Sequence, residues 1–538
     1  MKPHSRRAWS AAAAGLAIAA LCAAAAIPAT GGGARATAAA DSAPANTLKT
    51  GAVAMADQAT MAASASTPAV VVEKLTGPDA PNNTAGRWDI KAADLGILWD
   101  DGHGKVLAAF GDTFGNAWTG PGGGAPANGN WRSNVLTRSS DTNLADGMLF
   151  DSAPQSPQGV AKQLIPSKKI NGDEITTIPT AAISVGHRQY MGFMSVKQWG
   201  DPGKWDTNYA GIAYSDDDGE NWTVSKTRWD NNADGTDPFQ MQAYVRRGGD
   251  VYVFGTQNGR NGPASVARVP AQRLLDKSAY RYWDGRGWNR SESKAKPIIE
   301  APVSELSVQY DAYSHRYLLM TLSGPDIVLR TAKSPQGPWT APQTVAYAAD
   351  YPGLYGGYFH PWNRNGVIYF TMSSWSPYNV YLMRLQINRD GTIVNPNLVV
   401  NPSFERGVAM GDGAWSCTNN CGIDTAPASA FSGDHNAFVR YNSGWRNIYQ
   451  DVTVQPHTKY RLTGFIRTSI NSDNGYFGAR TAAGQVISEA HFVSVGAWTR
   501  FTVDVDSGAN STLQLYAGVW TNSGDIWLQL DDVALIRD

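Results

Sequence analysis

The sequence is poor in charge. Lys, Arg, Asp and Glu make up 17% of its 538 residues, and the formal net charge is −1. Nucleic-acid binding needs a basic excess, and none is present. Cysteine is scarcer still, with 3 in the whole chain. Cys22 lies in an apolar N-terminal run, which leaves Cys417 and Cys421 in "WSCTNNCGID". No second Cys or His pair stands beside them, so zinc is disfavoured. There is no H-E-x-x-H, no Walker pattern and no G-x-S-x-G elbow, so the usual zinc-protease, nucleotide and serine-hydrolase signatures are missing. "GPGGG" (120–124) precedes no helical pattern and reads as a flexible loop. Beyond the N-terminus no run is apolar enough to span a membrane.

The N-terminus itself reads as a targeting segment. A basic "MKPHSRR" is followed by the apolar "AAAAGLAIAALCAAAAI" and the small residues of "ARATAAAD". Residues 1–40 therefore read as a secretory signal, cut near Ala38 to Ala40. Leu21 stands before Cys22 where a lipid-attachment signal wants a small residue, which disfavours lipidation. Export brings an oxidising environment, so Cys417 and Cys421 are expected to form a local disulfide. Residues 41–68, rich in Ala, Ser and Thr, read as a disordered linker.

Aromatic residues are abundant, with 19 Trp and 22 Tyr. Low charge and many rings suit an all-β protein, most of whose rings pack the core. Five stretches repeat one pattern of strand, polar or glycine turn, and apolar strand: "DLGILWDDGHGKVLAAFGD", "IPTAAISVGHRQYMGFMSV", "MQAYVRRGGDVYVFGT", "LSVQYDAYSHRYLLMTLSG" and "FHPWNRNGVIYFTMSS". Each reads as a β-hairpin followed by a third apolar run. Such recurrence points to a five-bladed β-propeller over 69–397 rather than a single sandwich. "AVVVEKLTG" (69–77) is expected to supply the outer strand of the last blade. "SDDDGENW" (215–222) matches an Asp-box turn, and "SPQGPW" (334–339) a similar outer turn; both read as structural. Residues 398–538 carry short alternating strands and no helical pattern, which suggests a β-sandwich.

In a propeller the first strand of each blade lines the channel. In blade one, Asp94 stands about nine residues before the turn near Gly104 and Asp112 about nine after it, so a hairpin brings both to one rim at adjacent positions about 5 Å apart. Two carboxyls about 5–5.5 Å apart match retaining glycoside hydrolysis, and a wider gap matches inversion. The plain alternative is that Asp112 caps a turn and Asp94 is a solvated strand start. Counting the other hairpins in the same way adds Thr180, Gln240, Gln242, Glu305, Tyr358 and His360 as rim candidates. "NWRSNVL" adds Trp131, Arg132 and Asn134. Each of these also has a bland reading, in channel packing or a satisfied polar core.

Residues 69–397 resemble the secreted actinobacterial endo-D-arabinanases, five-bladed propeller glycoside hydrolases once grouped as a domain of unknown function. The resemblance lies in "ADLGILWDDGHGKVLAAFGDTFG", "WRSNVL", "VPAQRLLDKSAYRYWDG", "ELSVQYD" and "YFHPW". It implies retaining cleavage inside α-D-arabinofuranan, as found in mycobacterial arabinogalactan and lipoarabinomannan. It also implies Asp94 as nucleophile, Asp112 as general acid/base, and no catalytic cofactor. The C-terminal segment resembles a jelly-roll carbohydrate-binding module, through "NPSFERG", "VTVQPHTKYRLTGFIRTS" and "LDDVALI". Such modules often hold a structural calcium, for which Glu405 and Asp532 are the candidates. Trp415, Trp445, Tyr476 and Trp520 are candidates for its sugar platform. The expected partner is cell-wall D-arabinan outside the cell, with no nucleic acid and no membrane insertion, and a monomer suffices. Two rivals stand beside this reading: a non-catalytic glycan-binding propeller, and a propeller glycosidase for another sugar such as L-arabinan.

Overall fold

The structure is a computed structural model that describes residues 66–538, apart from 121, 125–128, 408, 412, 413 and 523. The expected signal peptide (1–40) and nearly all of the linker (41–68) lie outside the described residues. The described chain is all-β, with one five-residue α-helix, α1 (Thr84–Trp88), and three short 3-10 turns. No helix among the described residues is long and apolar enough to cross a membrane.

The strands run in sheet order along the chain. After β1 (Val70–Lys74) comes a three-stranded sheet of β2 (Leu95–Asp100), β3 (Val106–Phe110) and β4 (Val135–Ser139). The second sheet holds β5 (Thr176–Val185), β6 (Arg188–Trp199), β7 (Trp205–Ser215) and β8 (Thr223–Asp230). The third holds β9 (Met241–Arg247), β10 (Asp250–Thr256), β11 (Gly262–Pro270), β12 (Arg281–Trp283), β13 (Trp288–Asn289) and β14 (Ile299–Val303). The fourth holds β15 (Leu306–Asp311), β16 (Arg316–Ser323), β17 (Asp326–Ala332) and β18 (Gln343–Ala346). The fifth holds β19 (Leu354–Phe359), β20 (Val367–Ser374) and β21 (Asn379–Gln386), with β1 added outside β21. The first apolar run thus supplies the outer strand of the last sheet, as its sequence suggested.

The pattern of burial explains the order within a sheet. Every residue of β3 is buried, so its run needs no alternation. The outer strand β8 mostly alternates exposed and buried residues, as a sheet with one wet face does. The first strands of the five sheets neighbour one another in order: β2 meets β5, β5 meets β9, β9 meets β15, β15 meets β19, and β19 meets β2. The Asp-box turn is built locally. Asp217 accepts from Asn221 N–H at 2.8 Å and from the Ser215 hydroxyl at 2.7 Å, and Trp222 Nε1 donates to Gly219 O at 3.0 Å.

The C-terminal part has two five-stranded sheets. One contains β22 (Ser416–Cys417), β25 (Gly444–Thr453), β27 (Gly475–Arg480), β28 (Val486–Phe492) and β30 (Thr512–Thr521); the other contains β23 (Cys421–Asp424), β24 (Asn436–Tyr441), β26 (Lys459–Thr468), β29 (Thr499–Asp506) and β31 (Ile526–Arg537). Ile448, Phe477 and Leu515 from the first meet Val439, Leu462 and Leu528 from the second in one core. Cys417 and Cys421 form the expected disulfide. This part is fastened to the first by Asp350, which pairs with Arg406 at 2.6 Å and accepts from the Thr67 hydroxyl at 2.7 Å. Tyr381 also donates to Phe431 O at 2.9 Å.

Candidate active site

Asp94 and Asp112 leave the same end of the first hairpin. Leu95 pairs with Phe110, and Gly111 N–H donates to Asp94 O at 3.1 Å, so Asp94 faces Gly111 and Asp112 comes next. A bulge at Leu95 and Gly96 interrupts the ladder there. Leu95 has φ +69° and Gly96 +76°. A bulky residue in the left-handed region is strained, and bulges of this kind re-aim side chains beside functional sites. The glycine at 111 serves the aspartate itself. A Cβ there would stand 2.4 Å from Asp94 Oδ1, which no real contact allows.

The two carboxyls have different surroundings. Asp112 is buried, and its Oδ1 accepts from Trp131 Nε1 at 2.7 Å and from the Thr176 hydroxyl at 2.6 Å. Lys169 lies with its ammonium 3.5 Å from the centre of the Trp131 ring and donates to Ser133 Oγ at 2.7 Å. Burial raises the Asp112 pKa, against the opposing pull of the Lys169 charge. Asp94 accepts at Oδ2 from the Tyr355 hydroxyl at 2.9 Å, and the nearby Tyr378 phenol also holds its pKa down against burial. Its Oδ1 is buried without a hydrogen-bond partner among the described residues. Burial pushes the Asp94 pKa up to about 7, with the Asp112 charge adding to the rise. Beside it Glu305 is held by Arg260 at 3.0 Å, and that cation keeps its pKa below the ordinary value despite burial. The Arg260 guanidinium lies 4.9 Å from the Tyr355 ring centre.

The other candidates divide by position. Trp131, from the "NWRSNVL" loop, and Glu305, from the hairpin count, stand at the carboxylates. Gln242 is next to this end, but its side chain is engaged by Phe239 O and by the Tyr244 hydroxyl at 2.6 Å. The register moves the second and fifth sheets. Thr176, not Thr180, meets Asp112, because β5 starts four residues earlier than the count assumed. Tyr355, not Tyr358 or His360, meets Asp94, because the fifth inner strand begins at Leu354. Thr180 and Tyr358 line a cavity of about 400 Å³ between the inner strands, towards Asp100, Arg247 and Tyr310, and Tyr358 also lies within reach of the charges of Glu305, Asp94 and Arg260. His360 lies past the far end of β19, where burial lowers its pKa to about 3.

Arg132 and Asn134 are buried scaffolding. The Arg132 guanidinium donates to the carbonyls of Asn130, Asp89 and Ala161, the last at 3.0 Å. Asn134 bridges Ile165 and Thr177. The residues missed in the sequence are Tyr355, Tyr378, Thr176, Lys169 and Arg260. Counting ten residues back from the turn at Gly186, as Asp94 stands before Gly104, would have found Thr176, and carrying the fifth strand back through its two glycines would have found Tyr355; Lys169 and Arg260 come from loops with no periodic signal.

A second carboxylate group lies in the C-terminal part. Asp532 is buried, with both carboxylate oxygens lacking a hydrogen-bond partner among the described residues. Burial pushes its pKa up to about 7 and that of Glu405 up to about 8, and holds Asp531 well above the ordinary range. An orphaned, desolvated carboxylate beside others is the donor set a hard cation wants. Elsewhere Asp101, His103 and Asp218 bring ligand atoms within 4.8 Å of one another, but His103 and Asp218 are exposed. Of the proposed platform rings, Trp415 is core, 2% exposed, whereas Trp520 is 45% exposed. Trp445 packs edge-on to Tyr476 at 5.6 Å.

The chain is similar to Notoamide biosynthesis cluster protein J' of Aspergillus versicolor, with 33% identity over 336 residues, covering 57% of this chain and 87% of that protein. Notoamide biosynthesis cluster protein J of Aspergillus sp. (strain MF297-2) is 33% identical over 334 residues, covering 57% and 85%. Among solved structures, a putative hydrolase from Bacteroides ovatus ATCC 8483 aligns with TM-score 0.41 and 16% identity over 55% of this chain and 86% of that one. An exo-beta-1,3-galactanase from Phanerochaete chrysosporium aligns with TM-score 0.40 and 13% identity over 87% and 100%. The family match spans residues 79–384, more than half of the chain and both carboxylates, so this protein belongs to the family described as Domain of unknown function (DUF4185).

Proposed function

We propose that this protein is a secreted glycoside hydrolase, an endo-D-arabinanase that cleaves α-D-arabinofuranosidic bonds with retention through Asp94 and Asp112. One observation carries the reading: two carboxyls with raised pKa share one end of a hairpin, ringed by phenol, indole and hydroxyl donors. Glycoside hydrolysis needs one carboxyl that keeps its proton near neutral pH and one that ionises. Two neighbouring carboxyls resist ionising together, which supplies both states from one residue type. We take residues 69–397 as a five-bladed propeller, a view supported by the ring of five inner strands. We take residues 398–538 as a jelly-roll carbohydrate-binding module. The substrate rests on the sequence resemblance alone, since the relatives' names speak of a biosynthesis cluster. Secretion rests on the N-terminal sequence.

In the mechanism Asp112 protonates the leaving oxygen, and Asp94 attacks the anomeric carbon to form a glycosyl-enzyme. Water, deprotonated by Asp112, then releases the sugar. The Asp94 oxygen that has no partner suits attack. Asp112 accepts both bonds at Oδ1, which leaves Oδ2 to carry the proton. The catalytic cycle requires no metal. In the C-terminal part Glu405 and Asp532 would hold a structural calcium through their oxygens, offsetting buried negative charge.

The test is product analysis on purified mycobacterial arabinogalactan. Wild type should release short arabino-oligosaccharides, and Asp94→Asn and Asp112→Asn should release none while remaining folded. Binding without new reducing ends would favour the non-catalytic rival, and cleavage of L-arabinan alone would change the substrate.

A further inference from the structure

Two exposed tryptophans flank the carboxylates from opposite sides. In the ring of inner strands β2 has two neighbours, β5 and β19. The hairpin begun by each carries an exposed indole at the carboxylate end. Trp375, 53% exposed, follows β20. It packs edge-on to Tyr378 at 5.7 Å, and Tyr378 stands close enough to Asp94 to lower its pKa. Trp199, 46% exposed, ends β6. It pairs across the ladder with Trp205, their rings 5.8 Å apart, and Arg260 links Trp205 to Tyr355.

Each indole is thus fixed by a second ring while one side stays in water. Fixed aromatic faces cost little entropy to bind against and present an apolar surface that pays off only when covered. A sugar ring offers a matching apolar C–H face. We infer that Trp199 and Trp375 are the outer sugar-stacking positions on the two sides of the cleaved bond. The substrate is then a polysaccharide long enough to reach both, entered along its length rather than from an end. This inference rests on the hydrolase reading and adds the residues that set substrate length.

The experiment compares wild type with Trp199→Ala, Trp375→Ala and the corresponding Phe variants, on polymeric arabinan and on a short aryl arabinofuranoside. Loss of one stacking contact should raise KM on the polymer about three- to tenfold. It should leave kcat/KM on the short substrate within about twofold, and Phe should restore most of the loss. Equal KM on the polymer for all variants would overturn the inference and leave the hydrolase intact. Retardation in native gels cast with arabinan separates the two ideas if wild type cleaves nothing. Retardation lost in both Ala variants would then support the tryptophan platform and sink the hydrolase; retardation kept in them would overturn the platform as well.

Discussion

At the residue scale, Gly111 and Tyr355 are the sharpest probes of the carboxylate pair. Gly111→Ala puts a Cβ where Asp94 Oδ1 now lies. We expect it to displace that carboxyl and cut kcat by about 100-fold or more, since misplacement of about 1 Å costs that much. Circular dichroism should still report a folded chain. Tyr355 donates to Asp94 and so lowers its pKa against the effect of burial. Tyr355→Phe removes that donor, and the Asp94 pKa should rise further. If Asp94 is the nucleophile it must be ionised, so wild-type kcat/KM falls as pH drops through about 7. In Tyr355→Phe that acid limb should move to higher pH. A fall on the alkaline side, moving up in the variant, would make Asp94 the acid instead. Asp94 and Asp112 were legible because a hairpin count needs only one well-marked turn. Tyr355 was hidden because "LYGGYF" carries Gly356 and Gly357 inside the strand, where glycine argues against strand formation.

At the scale of elements, the alternation of apolar residues and turns marked four hairpins at close to their true ends. The fifth was displaced by those two glycines. The third sheet gains β12, β13 and β14 from a stretch with turns too close together to read as strands. The Asp-box turn between β7 and β8 was legible because its bonds are all local. Asp217→Ala should lose those bonds and cost about 1 kcal/mol in chemical denaturation. Activity should be unchanged, because the turn lies between outer strands. In the C-terminal part Glu405 and Asp532 were singled out by resemblance, but the neighbouring charge of Asp531 was not. Calcium should raise the melting temperature of the full chain and EDTA should lower it. In Asp532→Asn neither should have an effect.

At the scale of the whole molecule, the bond between Asp350 and Arg406 joins the two parts. Asp350 is 0% exposed. Removing the cation leaves a buried carboxylate short of its partner, which costs about 3–5 kcal/mol. Arg406→Ala should therefore lower the denaturation midpoint by a corresponding amount, and limited proteolysis should begin to separate the two parts. A variant as stable as wild type would show that the other contacts between the parts, Tyr381 to Phe431 O among them, suffice to hold them. This contact was not legible in the sequence, because its partners are far apart and neither has a periodic neighbour.

The strand β1 lies outside β21, and its Val70 packs against Ala534 and Ile536 of β31. The first strand among the described residues therefore waits for β21 and, beyond it, touches the last, β31. During synthesis β1 is an unpaired edge for more than 300 residues, a surface that invites pairing with a neighbouring chain. The fifth sheet cannot be completed until β21 is made, so the early strands of the first part stay exposed for longer. A chaperone that covers the early strand should raise the yield more than one acting on the finished chain.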